Sequence, residues 1–209
     1  MKLLLASNNP KKRAELEAIL ARYGISGIEV VTPAELGGID DVEEDGETFL
    51  ANAEKKALAS AAATGLHALA DDSGLAVDAL DGAPGVRSAR FAGEPSDDSA
   101  NNAKLLRLLD GVAEGERGAA FHCALVLASP GPPPAVLTTA VGTVRGRILE
   151  ASRGESGFGY DPLFLFTEPG QPGTGKAFAE LDPVEKAAIS HRGRALEQLV
   201  RAFPAALGI

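Results

Sequence analysis

The chain has 209 residues, of which 45% are hydrophobic, and this length suits one substantial core better than two large domains. We therefore expect a single domain over residues 1–209. With 29 acidic and 20 basic residues, the formal net charge is −9, so the surface as a whole repels phosphate backbones and nucleic acid is not an expected partner. A small polyanion can still bind where a few basic residues gather, which makes the positions of the lysines informative.

The single cysteine and the first residues indicate the compartment. Cys123 lies in an apolar run, which favours a buried structural thiol over a nucleophile. The chain begins with a short apolar run that ends at Ser7, and this run is too short for a signal peptide or a membrane span. We therefore expect a cytoplasmic protein with no disulfide and no membrane partner.

The first elements alternate between strand and helix. Lys2 to Ala6 is a predicted strand, and Asn9 and Pro10 then supply the cap and the first turn of a helix that ends at Gly24. A second short strand at 30–31 and a loop over 35–46 follow. The helix predicted next, over 49–63, has an alanine-rich apolar stripe.

That helix also has a polar stripe. Thr48, Asn52 and Lys56 are four residues apart, so their side chains lie on one face and point in a common direction.

The rest of the chain is rich in predicted strands. An ordered loop over 81–97 and a helix around 105–109 follow the first of them, and a cap at Ser190 begins the last helix, which runs to Phe203. Strands alternating with helices, together with one long hairpin, predict an α/β fold: a three-layer domain with a central mixed β-sheet. The strands are predicted at 69–70 and 75–80, on either side of Asp71–Gly74, and at 119–128 and 135–148, which a proline-rich hairpin connection joins.

Two polar clusters in the first quarter of the chain suit a phosphate and its counter-ions. Ser7 to Lys12 combines a hydroxyl, two amides and lysines with a helix N-terminus, which suits phosphate oxygens as well as it suits an ordinary solvated cap. Glu43 and Glu44 precede the helix that carries Asn52 and Lys56, and they suit either a metal site or a solvated helix start.

A third cluster, Asp71-Asp72-Ser73-Gly74, directly follows an apolar run. Adjacent acids repel each other unless a cation compensates, so such a pair favours a Mg²⁺ site or a group that deprotonates water. A polar turn is the structural alternative.

Two later clusters suit a nucleobase. Phe158 between two glycines offers a stacking surface, and the nearby Asp161 offers a hydrogen-bond acceptor for ring N–H groups, although Phe158 also suits a place in the core. Lys186 with Ser190-His191-Arg192 supplies donors for a keto oxygen, and an exposed cap with a surface arginine is the alternative interpretation.

Together these clusters resemble the inosine triphosphate pyrophosphatase family, in order and spacing over nearly the whole chain. The matching segments are Ser7-Asn8-Asn9 with Lys12, Glu44 with Asn52-Ala53 and Lys56, Asp71-Asp72-Ser73-Gly74-Leu75, Ala83-Pro84-Gly85 with Ser88-Ala89-Arg90, Phe158-Gly159-Tyr160-Asp161-Pro162, and Ser190-His191-Arg192.

The resemblance implies a homodimeric α/β enzyme that converts ITP, dITP and XTP to monophosphates and pyrophosphate with Mg²⁺. It implies that Glu44 and Asp72 bind the metal, with Glu44 preferred over Glu43, and that Asp72 is also the catalytic proton acceptor. Ser73 is expected beside the substrate. The triphosphate ligands would be Ser7, Asn8, Asn9, Pro10, Lys11, Lys12 and Lys56, and the base ligands Phe158, Gly159, Tyr160, Asp161, Lys186, His191 and Arg192.

Two other functions fit parts of this pattern. A related pyrophosphatase for modified pyrimidine or methylated nucleotides would share the triphosphate ligands and differ at the base. A nucleotide-binding module without turnover would not need a water-activating acid, so Glu44, Asp71 and Asp72 favour an enzyme.

Overall fold

The structure is a computed structural model that describes residues 1–208. Its helices and strands alternate along most of this range. In chain order they are β1 (Lys2–Leu5), α1 (Pro10–Arg22), β2 (Glu29–Val31), α2 (Phe49–Thr64), β3 (His67–Val77), α3 (Asp98–Leu108), β4 (Gly118–Ser129), β5 (Ala135–Ile148), β6 (Phe164–Phe166), α4 (Pro183–Ile189) and α5 (His191–Leu207).

The strands form one mixed sheet in the order β2-β1-β3-β4-β5-β6. β1 is parallel to β2 and to β3, with Leu3 opposite His67 in the second pair, and β6 is antiparallel to β5. A mixed sheet with helices confirms the predicted α/β class. No helix within residues 1–208 combines the length and the apolar character that a membrane span requires.

The chain divides into two compact units. The first contains Met1–Asp72, Cys123–Gly142 and the segment from Arg194 onward, and the second contains Ser73–His122 and Thr143–Gly193. The strands β3, β4 and β5 each continue from one unit into the other. A single domain over residues 1–209 stays a prediction.

The core of the first unit has two faces, because alternate residues of a strand point to opposite sides of the sheet. Leu3 and Leu5 pack in one cluster with leucines of α1 and α5, and Leu4 packs in another with alanines of α2. Cys123 is buried in the first cluster, as predicted. Helices on both faces of the strands give this unit the layered arrangement that the α/β pattern predicts.

The core of the second unit is aromatic. Phe121, Phe164 and Phe178 are buried together, with the ring of Phe164 4.6 Å from that of Phe121 and 4.8 Å from that of Phe178. Leu105 and Leu109 of the α3 segment join the same cluster. The cluster also contains Leu181, just before α4, and Ile189 at the end of α4, so the three rings and this helix share one core.

The structure corrects the prediction for the segment that contains the paired acids. Asp71–Gly74 does not separate two strands but lies inside β3, which is continuous from His67 to Val77, and residues 78–80 form a 3₁₀ turn. The strand continues because alternation places the two acids on opposite faces, where each has its own partners.

Other segments were predicted with mixed success. Residues 130–134 do connect β4 with its sheet neighbour β5, and Ser190 Oγ accepts the Gly193 N–H at 3.0 Å, which confirms the cap before α5. The elements β6 and α4 were not predicted.

Candidate active site

The acids of β3 organise the charged groups of the first unit. Asp71 and Asp72 are only 3% and 8% exposed. Consecutive residues of a strand point to opposite faces, so Asp71 follows Leu69 towards α1 while Asp72 follows Ala70 towards α2. Mutual repulsion of the two carboxylates is reduced by this arrangement, and each is left to its own basic or amide partner.

Asp71 meets Lys12 from the first turn of α1. Lys12 Nζ lies 2.8 Å from Asp71 Oδ1, in a pair that is largely removed from solvent. A buried carboxylate needs such a partner because an isolated charge is expensive to desolvate.

Asp72 meets Asn52 from α2. Asn52 is 1% exposed, and its Nδ2 donates to Asp72 Oδ2 at 2.9 Å. Its Oδ1 accepts the Gly46 N–H at 2.7 Å. A β-carbon at Gly46 would lie 2.6 Å from that oxygen, so glycine is required for this approach. The amide is therefore fixed at both ends, and it fixes the carboxylate in turn.

Lys56 lies one turn beyond Asn52 on α2. Its Nζ donates to the backbone oxygen of Asp71 at 2.9 Å and forms an ion pair with Glu44. Glu43 is exposed, whereas Glu44 is half-buried against the lysine. Of the two adjacent glutamates, Glu44 is therefore the one that joins this group.

The segment before α1 is built as a helix cap. Asn9 Oδ1 accepts the Lys11 N–H, Ser7 Oγ accepts the Asn9 N–H, and Asn8 Oδ1 accepts the Ala34 N–H. Pro10 opens the helix, and the Lys11 side chain is exposed. The cap interpretation is thus confirmed for Asn9. Because these contacts also order the N-terminus of α1, they are compatible with an anion there.

The oxygen donors of the first unit suit a magnesium ion better than a softer metal. Within residues 1–208, no three His, Cys, Asp or Glu side chains form a preformed metal cluster. Mg²⁺ is commonly held by one or two carboxylates together with substrate phosphates and water, so it does not need such a cluster. Carboxylates at Glu44 and Asp72 fit that pattern of ligands.

Phe158 forms the exposed aromatic surface of the second unit. Its ring is 37% exposed, so it does not plug the core. The flanking Gly157 and Gly159 have φ of 83° and 59°, in the left-handed region. A β-carbon at Gly157 would also lie 2.2 Å from Asp161 Oδ2. Glycine is therefore needed there for the turn that presents the ring.

Asp161 and Lys186 support this ring from within the unit. Asp161 Oδ2 accepts the Phe158 N–H at 2.8 Å and forms a buried ion pair with Lys186. Lys186 Nζ lies 4.9 Å from the centroid of the Phe158 ring, and Arg192 Cζ lies 5.9 Å from it. Both distances are within the range of a cation–π interaction.

Tyr160 has a structural position. It is 4% exposed, and its hydroxyl donates to the Ser88 carbonyl oxygen at 2.9 Å. Burial, and then the negative charge of Asp98, raise the pKa of the Tyr160 hydroxyl. The hydroxyl therefore remains a neutral donor, and it ties the segment after Phe158 to the 3₁₀ turn that contains Ser88.

His191 and Arg192 lie at the start of α5 and are almost fully buried. The His191 ring stacks on Phe121 with centroids 4.7 Å apart and an interplanar angle of 12°. Arg192 donates to Ser73 Oγ at 3.3 Å. In the second unit, Lys186 and Arg192 thus lie near the ring of Phe158, and Asp161 is paired with Lys186. His191 is the sequence neighbour of Arg192.

Two residues that were not among the predicted site residues, Asp71 and Asn52, have central places. Asp71 binds Lys12 through its side chain and Lys56 through its backbone, and Asn52 binds Asp72. The four-residue spacing of Asn52 and Lys56 was the available signal for the second of these.

Comparisons with known proteins agree over nearly the whole chain. The model of the Ham1 family matches residues 3–202. A protein of Desulforamulus reducens named dITP/XTP pyrophosphatase is 54% identical over 95% of this chain and 93% of its own length. A relative of the same name from Corynebacterium diphtheriae is 48% identical, with 96% and 95% covered.

Solved structures give the same result. A HAM1 protein from Coxiella burnetii has a TM-score of 0.86 at 41% identity, with 98% of this chain and 99% of that chain covered. A nucleoside-triphosphatase described as a dITP/XTP pyrophosphatase from Mycobacterium abscessus has a TM-score of 0.75 at 45% identity, with 95% and 97% covered.

Proposed function

The chain belongs to the Ham1 family, and from this premise we propose that it hydrolyses the deaminated purine nucleotides ITP, dITP and XTP to the monophosphate and pyrophosphate. Relatives named dITP/XTP pyrophosphatase support this substrate class. The observation that carries it is that Lys12, Lys56 and Asn52 all bind the paired acids of β3, the two lysines at Asp71 and the amide at Asp72.

In this proposal the first unit binds the triphosphate. Lys12 and Lys56 supply two cations, and residues 7–11 supply the N-terminus of α1, where backbone N–H groups favour an anion. Because Lys12 is paired with Asp71 and Lys56 with Glu44, a bound cation would supply the remaining positive charge that a triphosphate needs on a protein of net charge −9.

Glu44 and Asp72 would hold Mg²⁺ in this unit. The ion supplies charge neutralisation to the triphosphate when it is bound. Both residues are hard oxygen donors, and the partners of Asp72 and Glu44, namely Asn52 and Lys56, hold the carboxylates in place.

Asp72 is the proton acceptor in this mechanism. A water molecule attacks the α-phosphorus, its proton passes to the Asp72 carboxylate, and the bond between the α-phosphorus and the bridging oxygen to the β-phosphorus breaks. Pyrophosphate leaves and the nucleoside monophosphate remains. The bond from Asn52 orients the carboxylate for this step, and no covalent intermediate is required.

The second unit binds the base. Phe158 stacks on the purine, with Gly159 and Tyr160 as its support, and Asp161 with Lys186 lies beside the ring. His191 and Arg192 donate to the 6-keto oxygen that hypoxanthine and xanthine carry and adenine lacks, while Ser73, bonded to Arg192, lies beside the substrate. Donors left unpaired opposite adenine discriminate by about 10⁴-fold.

A homodimer in the cytoplasm completes the proposal. Sedimentation of the purified protein tests the dimer: a species of twice the 21.4 kDa chain mass is expected.

Pyrophosphate release from ITP, with Mg²⁺ and with excess chelator, tests the function. We expect rapid release from ITP, dITP and XTP that depends on the metal, and slow release from ATP. Preference for dUTP or methylated UTP would instead indicate a pyrophosphatase for other modified nucleotides, and ITP binding without turnover would indicate a binding module. Equal rates for ITP and ATP would contradict the assigned base ligands.

A further inference from the structure

Two side chains of α3 bind the N–H and the carbonyl group of Gly159, the residue that follows Phe158. Asp98 Oδ2 accepts the Gly159 N–H at 2.7 Å, and Asn102 Nδ2 donates to the Gly159 carbonyl oxygen at 2.9 Å. Asp98 and Asn102 are four residues apart, so they lie on the same face of one helix. We refer to these two side chains as the α3 clamp.

The loop needs such support because its own backbone supplies little. Gly157 and Gly159 have left-handed φ values, and glycine loses more conformational freedom on ordering than any other residue. Apolar packing does not fill the adjacent space: a groove of about 470 Å³ lies there, and Asp98, Asn102 and Phe158 are among the residues that line it.

The opposite side of Phe158 has a matching restraint. Asp161 Oδ2 accepts the Phe158 N–H, and Asp161 is itself buried in the ion pair with Lys186. Successive backbone groups are therefore hydrogen-bonded: Asp161 binds the Phe158 N–H, and the α3 clamp binds the N–H and the carbonyl oxygen of Gly159.

We propose that Asp98 and Asn102 are positioning residues that hold the Phe158 ring ready for the base, so that they set substrate affinity and leave the hydrolytic step unchanged. This rests on the function proposed above. Preorganisation of this kind raises affinity because the ordering of the loop is completed before the nucleotide arrives. The water-activating acid is assigned elsewhere, to Asp72, and the expected effect is therefore on KM and not on kcat.

Near-isosteric changes separate the clamp from simple loss of packing. Asn102→Asp places a carboxylate oxygen against the Gly159 carbonyl oxygen, which turns an attraction into a repulsion. Asp98→Ala removes an acceptor, whereas Asp98→Asn keeps one and should rescue the bond. Ser99→Ala, an exposed position in the same turn, is the matched control.

Steady-state kinetics with ITP provides the first test. Asp98→Ala and Asn102→Asp should each raise KM about fivefold with an unchanged kcat, as loss of one hydrogen bond predicts. Asp98→Asn and Ser99→Ala should match the parent. Inorganic tripolyphosphate, which has no base, should inhibit all five proteins with one Ki. An unchanged KM, or an equal rise in that Ki, would overturn the proposal.

A fluorescence measurement tests the clamp without any nucleotide. The chain contains no tryptophan, so Phe158→Trp introduces a single reporter at the ring. Added to this background, Asn102→Asp and Asp98→Ala should lower the indole anisotropy and increase quenching by acrylamide, while Ser99→Ala should not. Identical anisotropy in all four proteins would refute the clamp even if ITP is hydrolysed. Conversely, absence of ITP hydrolysis in the parent would refute the proposed function, but the anisotropy would still test the clamp because it is measured without nucleotide.

Discussion

The two units hold their polar side chains in different ways. In the first, Lys12, Asn52 and Lys56 project from regular helices onto acids within a regular strand, and the contacts are ion pairs and side-chain hydrogen bonds. In the second, Phe158 lies between two glycines with left-handed φ values, and side-chain hydrogen bonds to backbone atoms keep this loop in place.

This difference matches the demands of the two ends of a nucleotide. A triphosphate is recognised by charge, which rigid elements place reliably, whereas a flat base is recognised by one ring and a few directed bonds. We expect changes in the first unit to alter turnover or stability, and changes around Phe158 to alter affinity and selectivity.

The largest effect is expected at Asp72. Asp72→Asn keeps the shape and an oxygen for Asn52 but removes the proton acceptor, so kcat for ITP should fall about 10²–10⁴-fold while KM changes little. Pyrophosphate release and circular dichroism measure activity and folding. Asp41→Asn, an exposed acid of the same unit, serves as the control. Turnover close to that of the parent would remove Asp72 from the mechanism.

The next effect is on stability, through Asp71. Lys12→Met leaves a buried carboxylate without its ion-pair partner and should lower the free energy of unfolding by about 2 kcal/mol, less than a fully buried pair because Lys12 is partly exposed. Adding Asp71→Asn should restore stability but not ITP affinity. Urea titrations of the single and double variants measure this. If the double variant also regained affinity, Lys12 would have no role towards phosphate.

A smaller effect is expected at the aromatic surface. Phe158→Ala should raise KM for ITP about tenfold through lost stacking, with little change in the melting temperature because the ring is partly exposed. Leu108→Ala, at a similarly exposed apolar position, should leave KM alone. A large fall in kcat at unchanged KM would contradict the division of roles between the units.

The smallest effect concerns His122 of the second unit. Its pKa is lowered, mainly by burial and further by the positive charge of Arg145. Since the unfolded chain then binds the proton at higher pH, this group costs stability as the pH falls below about 6.5. In His122→Gln, the free energy of unfolding should therefore decline less steeply between that pH and the lowered pKa. If the free energy of unfolding depended on pH equally in parent and variant, another group would be responsible for the pH dependence.

Local signals predicted the elements that local chemistry determines. Asn9 and Pro10 define the start of α1, and the four-residue spacing of Asn52 and Lys56 correctly places both side chains against the same strand. The position of Asp71 inside that strand was not predictable in this way, because its partner Lys12 is 59 residues away in sequence.

Missed elements divide into those with a signal and those without one. α4 opens with Asp182 as cap, Pro183 in the first turn and Glu185 completing a capping box, so its start could have been identified. β6 is only three residues long, from Phe164 to Phe166, which is too short for a period to emerge. The support of Phe158 depends on backbone angles and distant bonds, which composition does not encode.

The placement of two neighbouring acids on opposite faces of β3 makes that strand intolerant of insertions. One extra residue between Leu69, which lies opposite Leu5, and Asp71 would exchange the faces of the two carboxylates. Lys12 and Asn52 would each then confront the wrong neighbour. Length variation among natural or engineered versions of this chain should therefore be confined to other segments, such as the connection at 130–134. An insertion there does not change which face of a strand a side chain occupies.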